Sequence, residues 1–164
     1  MIKPDVYTST GKILDAIVKG GFMISKLKMS RFNPSTVDIF YGEHKGKAFY
    51  PNLSQFIQSD VVTGLELIGP GAIKGWRDFI GPTNTQVAQQ QKPESIRAKF
   101  GTDGTRNAVH GSDSVQSAKR ETDIFFGSSK TMASTAIGTN CTCVIIKPHI
   151  IEEKRAGEVI DFIL

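Results

Sequence analysis

The sequence predicts one domain that mixes α-helices with β-strands. Apolar residues recur three and four positions apart in some segments, which indicates helices, and at alternate positions in others, which indicates strands. Of the 164 residues, 39% are hydrophobic and ten are Phe. The chain can therefore build a hydrophobic core, and it is not wholly disordered. A typical domain has ~100–200 residues, so this length fits one domain with a short appendage.

The first thirty residues predict a strand end, a helix and a strand. Residues 1–3 resemble the end of a strand that Pro4 terminates. A helix then begins near residues 8–10 and stops at the glycine pair 20–21. Residues 22–29 alternate as a strand whose phase slips once, which indicates a β-bulge. The helix is amphipathic, with an apolar face made of Ile13, Leu14, Ile17 and Val18.

The next segments predict two helices and a second strand. Asn33 and Pro34 start a helix, because proline suits the first helical position. A further helix begins near Pro51, and the apolar residues 61–68 form a strand closed by Gly-Pro-Gly. The first of these helices has a stripe at helical spacing, made of Val37, Phe40, Tyr41 and His44.

Helices and a long loop are predicted after the second strand. Residues 72–80 have helical spacing, and residues 95–100 are long enough for one or two helical turns. Between them, the polar residues 81–94 predict a loop, and a loop of this length is more often functional than idle.

The end of the main domain predicts a helix and then a strand. Asp113 and Gln116 are spaced as a capping box for a helix that ends near Glu121. The apolar residues 123–126 then predict a short strand.

The tail repeats the start of the chain. Ile-Lys-Pro occurs at residues 2–4 and again at 146–148, and the pattern of residues 11–15 returns at 157–161. The two matches have nearly the same offset, which predicts a duplicated domain.

The repeat divides the chain into three parts. We expect a first domain over residues 1–126 and a linker rich in Ser, Thr, Gly and Ala over 127–140. Residues 141–164 would be the incomplete start of a second copy, with a strand at 141–146 and a helix at 156–164.

Charge and composition limit the partners. The net charge is +4, with 20 Lys and Arg against 16 Asp and Glu. It leaves nucleic acid, a membrane surface and phosphorylated small molecules open. No apolar run reaches the ~20 residues that span a bilayer, and no signal peptide is recognisable, so we expect a soluble intracellular protein. Cys141 and Cys143 lie too close together for a disulfide framework.

His110 is the best candidate for a reactive side chain. It lies in a glycine-flanked loop before a predicted helix, where backbone N–H groups and the helix dipole favour an anion. A neutral imidazole can attack a phosphoryl group, or act as a base, when a neighbour holds its other nitrogen. Ser112 and Glu121 are candidates for that role. The alternative is a surface histidine beside an ordinary helix cap.

Cations and aromatic residues supply further candidates for binding a nucleotide. Arginine binds phosphate with a fork of donors, and lysine binds it as a point charge. The cationic candidates are Lys3, Arg77, Arg97 and Arg106. Tyr41 and Phe49 could stack on a base, although an aromatic residue on a helical stripe more often lies in the core.

Two motifs together resemble the nucleoside diphosphate kinase family. They are Asn-Ala-Val-His-Gly-Ser-Asp-Ser at residues 107–114 and Ile-Lys-Pro-Asp at residues 2–5, and the resemblance covers residues 2–126. Residues 94–104 and 140–149 resemble the long class of the family that is associated with flagella and the axoneme. Members of that class have two kinase domains in tandem, which agrees with the internal repeat.

The resemblance implies an α+β fold, a ferredoxin-like βαββαβ sandwich of an antiparallel sheet with helices packed on it. It also implies a ping-pong transfer of the γ-phosphate of ATP to nucleoside diphosphates, with His110 as the nucleophile and Ser112 and Glu121 orienting it. Magnesium would be held by the nucleotide's phosphates and not by the protein. The residues implied to bind phosphates, ribose or base are Lys3, Tyr41, Phe49, Leu53, Arg77, Thr83, Arg97 and Asn107.

The resemblance also implies partners and a location. These are nucleoside di- and triphosphates, a homo-oligomer, and axonemal or microtubule proteins, in the cytoplasm or the flagellar axoneme. A membrane is not expected, and nucleic acid is disfavoured because a charge of +4 is modest. The alternative function is a weakly active or inactive structural module of the axoneme with the same fold.

The first strand of this fold is nearly absent before Ile2. One hypothesis is that the apolar segment 141–146 pairs in its place with residues 22–29, 61–68 or 123–126, because an unpaired apolar strand is unfavourable in water.

Overall fold

The fold is built on an antiparallel pair of strands. The computed structural model describes residues 1–127, 135 and 138–164. Strand β1 (Met23–Arg31) pairs with strand β2 (Val61–Ile68) along their whole length. The register shifts between Ile24 and Lys26, which confirms the predicted bulge.

Residues 1–3 lie beside β2 and pair with it through an isolated β-bridge. Ile2 forms antiparallel bridges to Thr63 on one side and Val109 on the other. The amide of Lys3 donates to the carbonyl of Ala108 at 2.8 Å. Pro4 then begins a 3-10 turn, which confirms the predicted strand end. This arrangement places the start of the chain beside the His110 loop.

Nine α-helices occur in the described residues. Most predicted helices are confirmed, and several begin at a polar residue whose side chain accepts from a backbone N–H of the first turn, as Asn33, Ser95 and Ser114 do. None of these helices is long and apolar enough to cross a membrane. The helices are α1 (Thr10–Lys19), α2 (Pro34–Phe40), α3 (Tyr50–Ile57), α4 (Ala72–Ile80), α5 (Thr85–Gln91), α6 (Ile96–Phe100), α7 (Val115–Phe126), α8 (Pro148–Glu152) and α9 (Ala156–Ile163).

The sheet lies between two apolar clusters. The first cluster contains Val62 of β2 and buried residues of α2, α3 and α7. The second contains buried residues of α1, α4 and α6, and Leu65 and Leu67 of β2 pack against it. Because side chains alternate along a strand, Val62 points to one face and Leu65 and Leu67 to the other. Helices therefore cover both faces of the sheet.

Two predictions in the second half of the domain were wrong. The predicted loop 81–94 contains helix α5, which begins where the side chain of Asn84 accepts from the amide of Val87. The predicted strand 123–126 is the last turn of α7. There the apolar run follows the helix, and Ile124 and Phe125 enter the first cluster. A four-residue apolar run has too little periodicity to separate the two structures.

The predicted strand 141–146 was also wrong. This segment has no regular structure and no ladder partner among the described residues, which rules out its pairing in place of the first strand. A strand needs a partner edge, and here the side chains of Val144 and Ile145 remain 60% and 79% exposed. The predicted helix 156–164 is confirmed as α9, whereas most of the predicted linker 127–140 lies outside the described residues.

Candidate active site

Hydrogen bonds from several segments of the chain fix the backbone around His110. Its amide donates to the carbonyl of Met1 at 2.9 Å, and its carbonyl accepts from the Trp76 indole at 3.2 Å. Two residues earlier, Ala108 has a left-handed φ of 66°. This conformation is unfavourable for a residue with a Cβ, and the Asp5 carboxylate supports it by accepting the Ala108 amide at 3.0 Å. Neither Asp5 nor Trp76 was predicted from the sequence to belong to the site.

Glu121 of α7 orients the His110 ring. Its Oε2 lies 2.8 Å from Nε2 of His110 and accepts the Ser112 hydroxyl at 2.6 Å. The Glu121 side chain is 8% exposed and that of His110 is 22% exposed. The predicted catalytic residues therefore meet at one carboxylate oxygen.

The protonation states of this pair follow from the same contacts. Burial opposes ionisation of Glu121, but the hydrogen bonds from His110 and Ser112 lower its pKa below the ordinary value. Burial lowers the pKa of His110 although Glu121 acts in the opposite direction. A neutral imidazole that faces a carboxylate through Nε2 holds its proton there. Nδ1 is then the ring nitrogen with a free lone pair.

Aromatic rings form a wall beside the imidazole. The rings of Phe40 and Tyr41 lie 5.1 and 5.7 Å from the His110 ring, both edge-on. The Tyr41 hydroxyl is buried without a hydrogen-bond partner in the described residues, and burial raises the pKa of that hydroxyl. A buried hydroxyl without a partner is unfavourable, so Tyr41 has a donor available for a ligand at His110.

Lys3 and Asn107 join the start of the chain to this loop. The Lys3 ammonium donates to Oδ1 of Asn107 at 2.6 Å and to the carbonyl of Thr105 at 3.0 Å. The Asn107 amide in turn donates to the carbonyl of Thr83 at 2.9 Å. Burial, and after it the charge of Arg97, lowers the pKa of Lys3 to about 8.

Arg97 and Arg77 form the cationic side of the site. Arg97 donates to the carbonyls of Gly81 and Val109 at 2.9 and 3.0 Å, and Arg77 donates to the carbonyl of Gly111 at 3.2 Å. Burial, and after it the charge of Arg77, lowers the pKa of Arg97 to about 10. In the described part of the chain, neither arginine lies in an ion pair. A cleft of about 310 Å³ lies between them, and Asp78, which is paired with Lys74, also lines it. Three cations against this one carboxylate, with Lys92 the third, favour an anion there.

Thr83 and Lys92 also line this cleft. The Thr83 hydroxyl accepts from Arg97 at 3.3 Å, so Thr83, which belongs to the residues predicted to hold phosphates and ribose, lies beside that cation. Arg106 does not join these residues, because it pairs with Asp103 at 3.2 Å and lies over the Phe56 ring.

An aromatic path leads outward from Tyr41. The His44 ring stacks on Tyr41 with 5.8 Å between centroids, and Phe49 follows at 5.6 Å from His44. Phe49 is 48% exposed, so its ring is available to a base. Leu53, which was predicted to line the nucleotide cleft, is buried in the first cluster together with Tyr41. From the sequence, His44 was placed only at the end of the apolar stripe that begins in α2. A polar residue at the end of such a stripe was the one sequence signal that could have indicated a place in the site.

The fold and this constellation define a class of protein. Residues 1–131 match the family model described as nucleoside diphosphate kinase. The chain belongs to the nucleoside diphosphate kinase family and has its α+β, ferredoxin-like fold, with helices on an antiparallel sheet.

Curated proteins similar to this chain include two homolog 7 proteins and a bacterial nucleoside diphosphate kinase. Nucleoside diphosphate kinase homolog 7 of Rattus norvegicus is 44% identical over 162 residues, which cover 98% of this chain and 41% of that protein. The homolog 7 of Mus musculus matches to the same extent. The chain thus spans about two fifths of the length of these relatives. The nucleoside diphosphate kinase of Aquifex aeolicus (strain VF5) is 43% identical over 128 residues, covering 77% of this chain and 90% of that protein.

Solved structures match the fold. A crystal structure of the Aquifex aeolicus nucleoside diphosphate kinase has a TM-score of 0.73 and 43% identity, covering 75% of this chain and 89% of that one. A halophilic nucleoside diphosphate kinase from Halobacterium salinarum in complex with CDP has a TM-score of 0.71 and 28% identity, covering 81% and 88%.

Proposed function

We propose that this chain transfers the γ-phosphate of ATP to nucleoside diphosphates through a phosphohistidine on His110. The observation that supports this most strongly is the shared carboxylate oxygen of Glu121. It accepts from His110 at 2.8 Å and from Ser112 at 2.6 Å. This contact would hold the proton on Nε2 and leave the lone pair of Nδ1 for nucleophilic attack.

The first half-reaction forms one bond and breaks another. The Nδ1 lone pair attacks the γ-phosphorus, the P–N bond forms, and the bond from phosphorus to the β,γ-bridging oxygen breaks and releases ADP. The positive charge that develops on the ring is stabilised by Glu121 through Nε2. The second half-reaction reverses these steps onto the terminal oxygen of a nucleoside diphosphate, which makes the scheme ping-pong.

The cations and donors of the site would stabilise the transferred phosphoryl group. Arg77 and Arg97 line a cleft and donate to the carbonyls of Gly111 and Val109, the two neighbours of His110, and the Lys3 ammonium is held by Asn107 of the same loop. Preorganised charge of this kind usually contributes most of the rate enhancement. Magnesium would enter with the nucleotide, because these residues are donors that suit phosphate oxygens and not a metal. In the described residues, no group of three His, Cys, Asp or Glu could hold a metal ion.

Phe49 would hold the base. Its ring is 48% exposed at the outer end of the aromatic path. Stacking uses the face that every base has, so we expect several nucleotides to be accepted.

The test is a labelling experiment on the whole chain. The protein is incubated with γ-labelled ATP, and a phosphoenzyme that is stable in base, labile in acid and discharged by a nucleoside diphosphate is expected. His110→Ala should remove the label, whereas His149→Ala, at an exposed position of the tail, should retain it. Equal labelling of wild type and His110→Ala would refute the proposal.

The alternative is a structural module of the axoneme with little or no turnover. A folded chain that binds nucleotide but takes up no label would support this alternative. Under either function we propose a cytoplasmic or axonemal location, axonemal or microtubule partners, and residues 141–164 as the start of a second repeat.

A further inference from the structure

Trp76 of helix α4 contacts the backbone of the reactive residue and of the residue after it. Its indole Nε1 donates to the carbonyl of His110 at 3.2 Å. The same ring lies against Gly111, because a Cβ placed on Gly111 would be 2.6 Å from Cδ1 of Trp76. A residue with a Cβ at position 111 would push the indole away. The single tryptophan of the chain therefore lies on the peptide group that joins His110 to Gly111.

The core of the protein fixes the indole ring. Trp76 is 7% exposed and belongs to the second cluster. The Phe22 ring meets it edge-on with 5.8 Å between centroids, and the Phe79 ring stacks on it at 6.0 Å. These are favourable arrangements of aromatic pairs. The packing therefore holds the indole N–H against the His110 carbonyl.

The orientation of the His110 carbonyl sets the relation between two site residues. The backbone rotates at two bonds in each residue, and at His110 the amide is already held by the carbonyl of Met1 at 2.9 Å. Rotation about the other bond, from Cα to the carbonyl carbon, moves Ser112 relative to the His110 ring. Both side chains contact Oε2 of Glu121, at 2.8 and 2.6 Å. A donor on the His110 carbonyl therefore helps to keep both side chains on this one oxygen.

The next residue of α4 has a different place. Arg77 donates to the carbonyl of Gly111 at 3.2 Å and lines the cleft that it shares with Arg97, whereas Trp76 does not line that cleft. Successive residues of a helix point about 100° apart, so the two side chains reach the loop from different sides. A change at Trp76 should therefore alter the reaction rate and leave the affinity for nucleotide unchanged.

We propose that Trp76 is a positioning residue for His110. Its indole N–H fixes the His110 carbonyl, and this keeps His110 and Ser112 on the shared oxygen of Glu121 while Nδ1 of His110 attacks the phosphoryl group. The effect on the rate rests on the proposed function, the transfer through His110. The Met1 nitrogen also donates to the His110 carbonyl, at 3.1 Å, so loss of the indole donor weakens the restraint and does not remove it.

Replacement of the indole N–H alone tests the proposal. Because the whole chain contains one tryptophan, an analogue can be placed at this position selectively. Benzothienylalanine has a sulfur atom in place of the N–H group and nearly the same shape, so it removes the donor and keeps the packing. Fluorotryptophan keeps the N–H group and is the matched control. The single-turnover labelling rate with saturating γ-labelled ATP and the affinity for ADP are measured, and a urea melt checks that each protein is folded.

With benzothienylalanine, labelling should slow by about 3- to 10-fold, which is the effect of one neutral hydrogen bond, and the affinity for ADP should not change. The fluorotryptophan protein should match the wild type. Among natural residues, Trp76→Phe should also slow labelling. Phe79→Leu removes a ring that stacks on Trp76 but leaves the indole N–H, so it should label at the wild-type rate.

A further readout does not require activity. The Nε2 proton of His110, which Glu121 protects, exchanges with water at a rate that NMR measures in protein with isotope-labelled histidine, and His110→Ala identifies its signal. Exchange should be faster with benzothienylalanine than with fluorotryptophan. Equal exchange, equal labelling rates or a parallel loss of ADP affinity would overturn the role of Trp76. If the wild type takes up no label although the exchange rates differ, the proposed function fails and the positioning of His110 by Trp76 stands.

Discussion

Glu121→Gln tests the role of the carboxylate with almost no change of shape. In the wild type, Oε2 accepts from His110 at 2.8 Å and from Ser112 at 2.6 Å. The amide of Gln can still accept one or both bonds, but it carries no charge. In the proposed mechanism, the change removes the stabilisation of the positive ring that would form when Nδ1 attacks. It also no longer requires the ring proton to lie on Nε2.

The magnitude follows from the two hydrogen bonds. A bond to a charged group is worth ~1.5–3 kcal/mol and a neutral one ~0.5–1.5 kcal/mol, so the loss over both bonds is roughly 2–3 kcal/mol. At ~1.4 kcal/mol for each factor of ten, phosphorylation should slow by about 30- to 100-fold. Ser112→Ala, which removes one donor, should slow it by about 3- to 10-fold.

The assay is the single-turnover rate of labelling by γ-labelled ATP, stopped in alkali. Glu94→Gln is the matched control, because Glu94 is 87% exposed in an ion pair with Lys99, and its rate should equal that of the wild type. A thermal melt distinguishes a slow enzyme from an unfolded one. A folded Glu121→Gln variant that labels within twofold of the wild-type rate would contradict the assigned role of the carboxylate.

Three further predictions concern stability. Burial lowers the pKa of Lys3 from 10.5 to about 8, which means that burying this charge costs ~3 kcal/mol at ~1.4 kcal/mol per pKa unit. Lys3→Met should therefore unfold at an equal or higher urea concentration than the wild type, but it should lose the phosphate label. A large loss of stability would contradict this. Ser114→Ala removes a cap bond to the Ser117 amide and should cost about 1 kcal/mol in urea unfolding, whereas Ser9→Ala, at a cap without such a bond, should cost less than about 0.5 kcal/mol. The pKa values of His110 and Glu121 are both lowered in the folded state, so the unfolded state binds more protons and stability should rise with pH. The contribution of His110 is complete above its ordinary pKa of 6.5 and is lost as the pH falls through the lower folded value. His110→Ala should therefore flatten the rise of stability with pH below the ordinary pKa of 6.5.

The secondary structure could be predicted from the sequence where turn residues mark the ends of a segment. Residues 61–68 and 72–80 match β2 and α4 to the residue, because Gly-Pro-Gly separates a β-rich run from an amphipathic one. It failed for residues 123–126, a short apolar run that fits either structure, and for residues 141–146, which would need an edge that only the folded molecule can supply.

Some residues of the candidate site could likewise be predicted from the sequence, and others could not. The types and positions of His110, Ser112 and Glu121 were visible in the sequence, because a loop before a helix start is a local feature. The membership of His44 and the burial of Leu53 were not, since a stripe of helical spacing does not show which of its members face the core and which face a cleft.

By itself, the sequence determined the local elements, the reactive residue types and the internal repeat, because these depend on neighbours within a few positions. Only the tertiary structure decided which distant groups meet. Lys3 contacts Asn107 across 104 positions, and Gly11 meets Asp161 at the crossing of two similar helices. Such contacts depend on how the helices pack on the sheet to form the two apolar clusters. This packing involves residues from many segments and is not set by any one of them.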